Sequence, residues 1–192
     1  MTPDKRKLYY IQKKSQSKII VEVELTSLSF QKQQIEFQSG DITQFGATSD
    51  ALYTLNKFGQ LQFYRFQTKH VSDWSCKFQE GVTPKNFCIS PDEQFFALTG
   101  AEPKKNNIYK NTVTVYSLQK LKPFCSTSFK FEGAINKMRM MKNKQKIPLL
   151  AAVTDVSFSF LLFEIRDKHM RLVCKKPGIH FGRLRLNNRV YL

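Results

Sequence analysis

Asn86-Phe87-Cys88-Ile89-Ser90-Pro91-Asp92-Glu93-Gln94-Phe95-Phe96-Ala97-Leu98-Thr99-Gly100 decides the fold. It reads as an apolar strand, a tight turn on Ser-Pro-Asp-Glu, and a second apolar strand. Pro91 pre-sets the backbone angle needed at the second position of a type I turn, and Asp92 tolerates the position after it. Phe87 and Ile89 alternate before the turn, and Phe95, Phe96, Ala97 and Leu98 form a short buried run after it.

Working outward, the chain has 192 residues, a formal net charge of +16 and 41% hydrophobic residues. That is enough apolar material for a packed core and argues against a wholly disordered chain. Seventeen Phe and seven Tyr favour strands. No long segment repeats apolar residues at helical spacing, so the reading is all-β.

Four units follow one another. Residues 7–39 hold three strands, Lys7–Gln12, Lys18–Leu25 and Leu28–Phe37. In the second of these Ile19, Val21, Val23 and Leu25 alternate with Ile20, Glu22 and Glu24, the half-buried pattern. Residues 40–81 hold Ile42–Ala47, Ala51–Asn56, Gln60–Phe66 and Asp73–Phe78. Residues 82–133 hold Asn86–Ser90, Phe95–Gly100, Thr112–Leu118 and Phe124–Phe131. Residues 134–178 hold Ile135–Met140, Leu149–Asp155, Phe158–Arg166 and Met170–Cys174. Residues 179–192 begin another unit: Gly178 to Gly182 and Val190-Tyr191-Leu192 parallel Gly40 to Gly46 and Leu52 to Leu55.

First strands near Ile42, Phe87, Ile135 and Phe181 recur at roughly the 40–45-residue period of propeller blades. With the Ser90-Pro91-Asp92 turn, this resembles the WD40-type β-propeller family, whose inner strands commonly end in such a turn. The resemblance spans most of the chain, and residues 86–118 carry its recognisable motif. Where that family often places Trp-Asp, this chain has Phe66-Gln67, Tyr116-Ser117 and Arg166-Asp167. The expected architecture is about four consecutive four-stranded antiparallel blades in a single β-propeller-like domain. That falls at the bottom of the range for a closed ring, so an incomplete propeller is expected. The resemblance implies a non-catalytic scaffold that binds other protein subunits within a larger complex.

No phosphate loop, nucleophile elbow or metal-ligand spacing is present, so no catalytic, metal or cofactor-binding residue is assigned and no enzyme is expected. His70, His169 and His180 read as solvated loop or edge residues. Cys76, Cys88, Cys125 and Cys174 form no Cys-x-x-Cys pair and read as small buried hydrophobes in a reducing intracellular setting, cytoplasmic or nuclear. Residues 147–165 are nearly long enough to cross a bilayer, but Asp155 near their centre would cost ~2.5–3.5 kcal/mol. Two adjacent strands fit them better, and no membrane span is expected. Trp74 reads as an outer-strand residue packing on the next blade, with Phe78 beside it.

Charge offers the candidate binding residues. In a propeller, the loops from second to third strand and from blade to blade share one face. That face collects Lys13, Lys14 and Lys18 from the first hairpin, Lys104, Lys105 and Lys110 from the long third-unit loop, and Lys175 and Lys176 from the link after the fourth unit. Lys142, Lys144 and Lys146 fall on the opposite face. Clustered lysines steer acidic protein surfaces or phosphate backbones, so RNA or a ribonucleoprotein is the alternative partner. Solubilising loop charge is the plainer account of the same residues.

Overall fold

A computed structural model of the chain describes residues 7–14, 17–24, 32–35, 42–48, 50–56, 58–75 and 82–177. The first sheet is the antiparallel meander β1 (Lys7–Lys14), β2 (Ser17–Glu24) and β3 (Lys32–Ile35). The second runs β4 (Ile42–Ala47), β5 (Ala51–Asn56), β6 (Gln60–Arg65) and β7 (His70–Ser75). The third runs β8 (Thr83–Ile89), β9 (Phe95–Pro103), β10 (Ile108–Ser117) and β11 (Lys122–Glu132). The fourth runs β12 (Ile135–Lys142), β13 (Pro148–Thr154), β14 (Phe160–Arg166) and β15 (His169–Lys176). This is the expected all-β arrangement of consecutive antiparallel blades, with three described strands in the first and four in each of the others.

The deciding stretch folds as read. The Glu93 N–H donates to the Ser90 carbonyl at 2.9 Å and closes the turn, with Pro91 and Asp92 at its centre. Ser90 N–H then donates to the Phe95 carbonyl at 2.8 Å, while Ser90 Oγ accepts from Phe95 N–H at 2.9 Å. Phe96, which follows, is wholly buried, which contributes about 1.5–3 kcal/mol.

First strands lie side by side: β4 against β8, and β8 against β12. Each carries a bulge at the equivalent place, with Thr43, Lys85 and Asn136 as the extra residues. Next to the bulge, a side-chain amide reaches the neighbouring first strand. Gln44 Nε2 donates to the Phe87 carbonyl and Gln44 Oε1 accepts from Phe87 N–H, each at 2.9 Å. Asn86 Nδ2 donates in the same manner to the Asn136 carbonyl. The bulges turn these amides sideways, so the innermost strands are joined by side chains where no ladder exists.

Farther out, each junction has its own apolar filling. Tyr9, Ile20 and Ile35 meet Ile42, Leu52 and Tyr64 between the first and second sheets. Between the second and third, Trp74 stands edge-on to Phe96 and Tyr116 at 5.4 and 4.9 Å, and those two rings stack. Trp74 is thus an outer-strand anchor on the next blade, as expected, whereas Phe78 lies outside the described residues. Val113, Val115 and Cys125 meet Leu150, Leu161 and Phe163 between the third and fourth.

Several strand limits differ from the sequence reading. The half-buried pattern in the second strand is corrected: Ile20 is buried with Tyr9 and Ile42, Val21 against Tyr10, and Glu22 where its Oε2 accepts a 2.6 Å hydrogen bond from the Tyr9 hydroxyl. The last strand of the second unit starts at His70 instead of Asp73, paired to Arg65. Asp155 and Phe158, read as strand, sit in the turn between β13 and β14. Segment 147–165 does form two adjacent strands, and among the described residues no helix is long and apolar enough to cross a membrane.

Candidate functional site

The blades have two ends. At one, called here the entry end, first strands begin and second strands hand over to third. The lysines assigned from sequence distribute around this end, but not all in loops. Lys104 and Lys105 lie in the exposed β9–β10 connection, as read. Lys110 is corrected from that loop to β10, where it stands directly between Glu102 and Lys130 on neighbouring strands. Lys175 and Lys176 are corrected from the inter-blade link to the end of β15, opposite Leu161 and Phe160. Their long side chains tolerate an exposed outer strand, which a reading that sends lysine to loops misses. Lys13 and Lys18 pair across the β1–β2 hairpin, and Lys14 faces Ser17. That hairpin belongs to the first sheet.

Lys130 of the third sheet and Lys175 of the fourth line one opening at the junction of the two sheets. The β11–β12 link is pinned there from three sides. Gly133 N–H donates to the Asn107 carbonyl at 2.9 Å, which ties the lysine loop to the link. Asn111, wholly buried, donates from Nδ2 to the Gly133 carbonyl at 3.1 Å, and its Oδ1 accepts from Ile135 N–H at 2.9 Å. Asp155 Oδ1 accepts from Ala134 N–H at 2.8 Å, and Asp155 N–H returns a 2.9 Å bond to the Ala134 carbonyl. Gly133 has φ +86°, and a β-carbon there would lie 2.6 Å from Asp155 Oδ1.

Beside this link is an open cavity of about 320 Å³. Ile108, Phe131 and Pro177 give it apolar walls, Lys130 and Lys175 its cations, and Ser157 and Ser159 its hydroxyls. Its volume is at the small end of the range for ligand clefts, enough for one or two side chains. The Lys175 ammonium sits 4.4 Å from the centre of the Phe131 ring, a cation–π contact that holds the charge at the rim. A void near Tyr53 and Leu118, about 40 Å³, has room only for waters.

The β13–β14 turn forms one wall and is unusual. Its Val156 and Phe158 are 41% and 45% exposed, and Phe158 has φ +47°, a left-handed conformation that costs a non-glycine residue about 1–3 kcal/mol. A hydroxyl chain holds the turn: Thr154 Oγ1 to Ser157 Oγ at 3.0 Å, and Ser157 Oγ to Ser159 Oγ at 2.9 Å. At the equivalent turn of the second sheet Phe58 is 70% exposed. Sequence reasoning missed Phe158 and Lys130 because both were absorbed into strands, and Val156 because it fell in the two-residue gap left between Leu149–Asp155 and Phe158–Arg166. Asp155 and Ser157, two turn formers between apolar runs, were the available signal.

Electrostatics at this end are weighted to the positive. Glu102 is hydrogen-bonded to Lys104, which with the nearby Lys110 charge holds its carboxyl below the ordinary glutamate range. Nothing among the described residues groups three metal-ligating side chains. His70 and His169 are exposed at strand ends. Burial pushes the Cys88 thiol up to about 12 and the Cys125 thiol up to about 11, which removes both as nucleophiles at neutral pH. At the opposite end, Lys142 pairs with Asp92 at 2.6 Å and joins the turns of the third and fourth sheets.

No protein-family model matches the chain, and no curated protein does. Solved β-propellers do match it in fold. Hsv2 of Kluyveromyces lactis, a structure with its complete loop 6CD, superposes with a TM-score of 0.60 at 10% identity, covering 82% of this chain and 56% of that one. KlAtg21, solved in complex with the coiled-coil of AgAtg16, gives 0.61 at 12% identity, covering 91% and 54%. The chain therefore spans about half the length of the solved propellers it matches, and what it shares with them is the β-propeller fold.

Proposed function

We propose that this chain is a non-catalytic, WD40-like propeller scaffold that mediates protein–protein interactions within a larger intracellular complex, cytoplasmic or nuclear. Its partner docks at the entry end of the junction between the third and fourth sheets. The blades are the units 7–39, 40–81, 82–133 and 134–178, with 179–192 opening another.

One observation carries the reading. A rigid frame presents Val156 and Phe158 to solvent in a strained turn, beside a lysine-rimmed cavity. Exposed apolar groups and backbone strain both cost stability, so their coincidence at a loop on a rigid scaffold marks a binding surface. That the similar propeller KlAtg21 was solved with a coiled-coil partner supports protein docking as a use of this architecture.

The second reading, docking on RNA or a ribonucleoprotein through lysine-rich loops, draws on Phe58 and Phe158 being exposed at the same end as Lys104 and Lys105. Affinity capture with the purified chain, followed by nuclease treatment and a salt series, separates the two. The scaffold reading expects a defined set of proteins that survives nuclease, fades with Val156→Ser/Phe158→Gly, and persists with Lys144→Glu/Lys146→Glu at the opposite end. Loss of the whole set on nuclease treatment, with a steep logarithmic salt dependence, would replace it by the nucleic-acid reading.

A further inference from the structure

We infer that the segment docking at the junction of the third and fourth sheets is acidic and carries an apolar anchor, a deepening that rests on the scaffold reading above. The cavity has apolar walls from Ile108 and Phe131 and lies against the turn of Val156 and Phe158, so it takes a hydrocarbon or aromatic side chain. Around it the charges do not balance. Lys130 and Lys175 line the opening, Lys176 follows on β15, and Lys104 and Lys105 stand on the loop tied to Gly133 through Asn107.

Two acids of the same region are engaged, and the cavity's two lysines outnumber the one acid that lines it. Glu102 is engaged by Lys104, and Asp155 Oδ1 accepts the Ala134 N–H. Glu132 alone faces the cavity from the protein side. Lys110 stands on β10 between Glu102 on β9 and Lys130 on β11, so Glu102 offsets Lys110 on one side while Lys130 has a cation directly opposite it. Carboxylates flanking an apolar anchor would settle on Lys130 and Lys175 while the anchor fills the cavity. A chain of RNA phosphates would satisfy the lysines and stack a base on Phe158, but would leave the apolar walls of the cavity unfilled.

Selection from a displayed random-peptide library on the purified chain tests this. Expected binders combine Asp or Glu with one aromatic or aliphatic residue. Phe158→Gly should weaken them by about tenfold or more, as loss of a central contact does. Glycine suits the left-handed backbone at that position, and a melting temperature recorded beside each affinity separates loss of binding from loss of folding. Lys130→Glu/Lys175→Glu should weaken the same peptides, and exchanging their acids for lysine should restore affinity. Neutral or basic binders that still depend on Phe158 would overturn the acidic assignment and leave the docking reading in place. Binders indifferent to both variants, or none at all, would overturn both. Displacement of the peptides by a short single-stranded RNA that binds more tightly would also reject the inference.

Discussion

Replacing Gly133 by alanine tests whether the β11–β12 link is as tightly built as its hydrogen bonds imply. At φ +86° an alanine pays about 1–2 kcal/mol for a left-handed backbone. Its β-carbon would lie 2.6 Å from Asp155 Oδ1 and 2.8 Å from the Val156 nitrogen, so the turn must move and not merely a side chain. Moving it gives up the bond from Ala134 N–H to the Asp155 carboxylate, a hydrogen bond to a charged group worth about 1.5–3 kcal/mol. The two contributions together are about 2.5–5 kcal/mol, a large part of the ~5–15 kcal/mol that holds a typical domain folded. With a urea m-value of about 2–3 kcal/mol/M, the denaturation midpoint should fall by about 0.8–2.5 M. Asp155→Gly in the same background should recover only part of the loss, because the Val156 backbone remains in the way. A midpoint shift below about 0.3 M for Gly133→Ala would refute the reasoning, since on that m-value scale the turn would be yielding at almost no cost.

Three further outcomes follow from other parts of the fold. Trp74→Ala should cost about 3–5 kcal/mol in urea denaturation, because it empties the ring stack against Phe96 and Tyr116; a cost under about 1 kcal/mol would remove Trp74 as the anchor of that junction. For Asp92, burial acts to raise the carboxyl pKa, but Lys142 and the Ser90 hydroxyl outweigh it, and the folded value lies below the ordinary aspartate range. A depressed carboxylate stabilises above its unfolded pKa and loses that contribution as pH falls through the folded value, so Lys142→Ala should flatten the acid limb of the stability profile. The pair is partly exposed, so less than about 1 kcal/mol is at stake at neutral pH. An unchanged acid limb would count against the pair. Cys88 and Cys125, raised to about 12 and about 11, should resist a thiol reagent at pH 7.5 in the folded protein and react after denaturation. Equal rates before and after would show that burial does not protect them.

Much of the frame was legible in the sequence because it rests on local rules. Ile42–Ala47 and Ala51–Asn56 match the observed strands to the residue, since apolar runs there are bounded by Asp41, Asp50 and the Lys57-Phe58-Gly59 turn. The Ser90–Glu93 turn formed as read because proline and serine chemistry decide it without help from the rest of the chain. What escaped was set by partners distant in sequence. Glu22 looks like a solvent-facing alternation residue until Tyr9 supplies its hydrogen bond. Lys110 and Lys130 look like loop or strand-end charges until the register sets them opposite each other. The Asp155–Ser159 turn was hidden because Phe158 and Phe160 alternate with serines in strand fashion, and only the left-handed backbone at Phe158 shows the periodicity to be broken.

The inner strands show why a chain with degenerate repeats still builds uniform junctions. Gln44 and Asn86 hold equivalent places beside the bulges of β4 and β8, and each reaches the backbone of the next first strand. An amide is both donor and acceptor, so either residue can substitute for a missing strand-to-strand bond. The equivalent residue of the fourth sheet is Lys137, an exposed cation with donors alone. The series of rungs therefore changes chemistry at the fourth sheet, whose outer strand also carries Lys175 and Lys176. Burying apolar residues between blades fixes the stack in the first three junctions, whereas the fourth sheet turns cations and the Val156–Phe158 turn outward. Phe158→Gly tests the proposed docking against the fold: binding should fall while the denaturation midpoint holds, and a midpoint that falls with it would assign Phe158 to the fold instead.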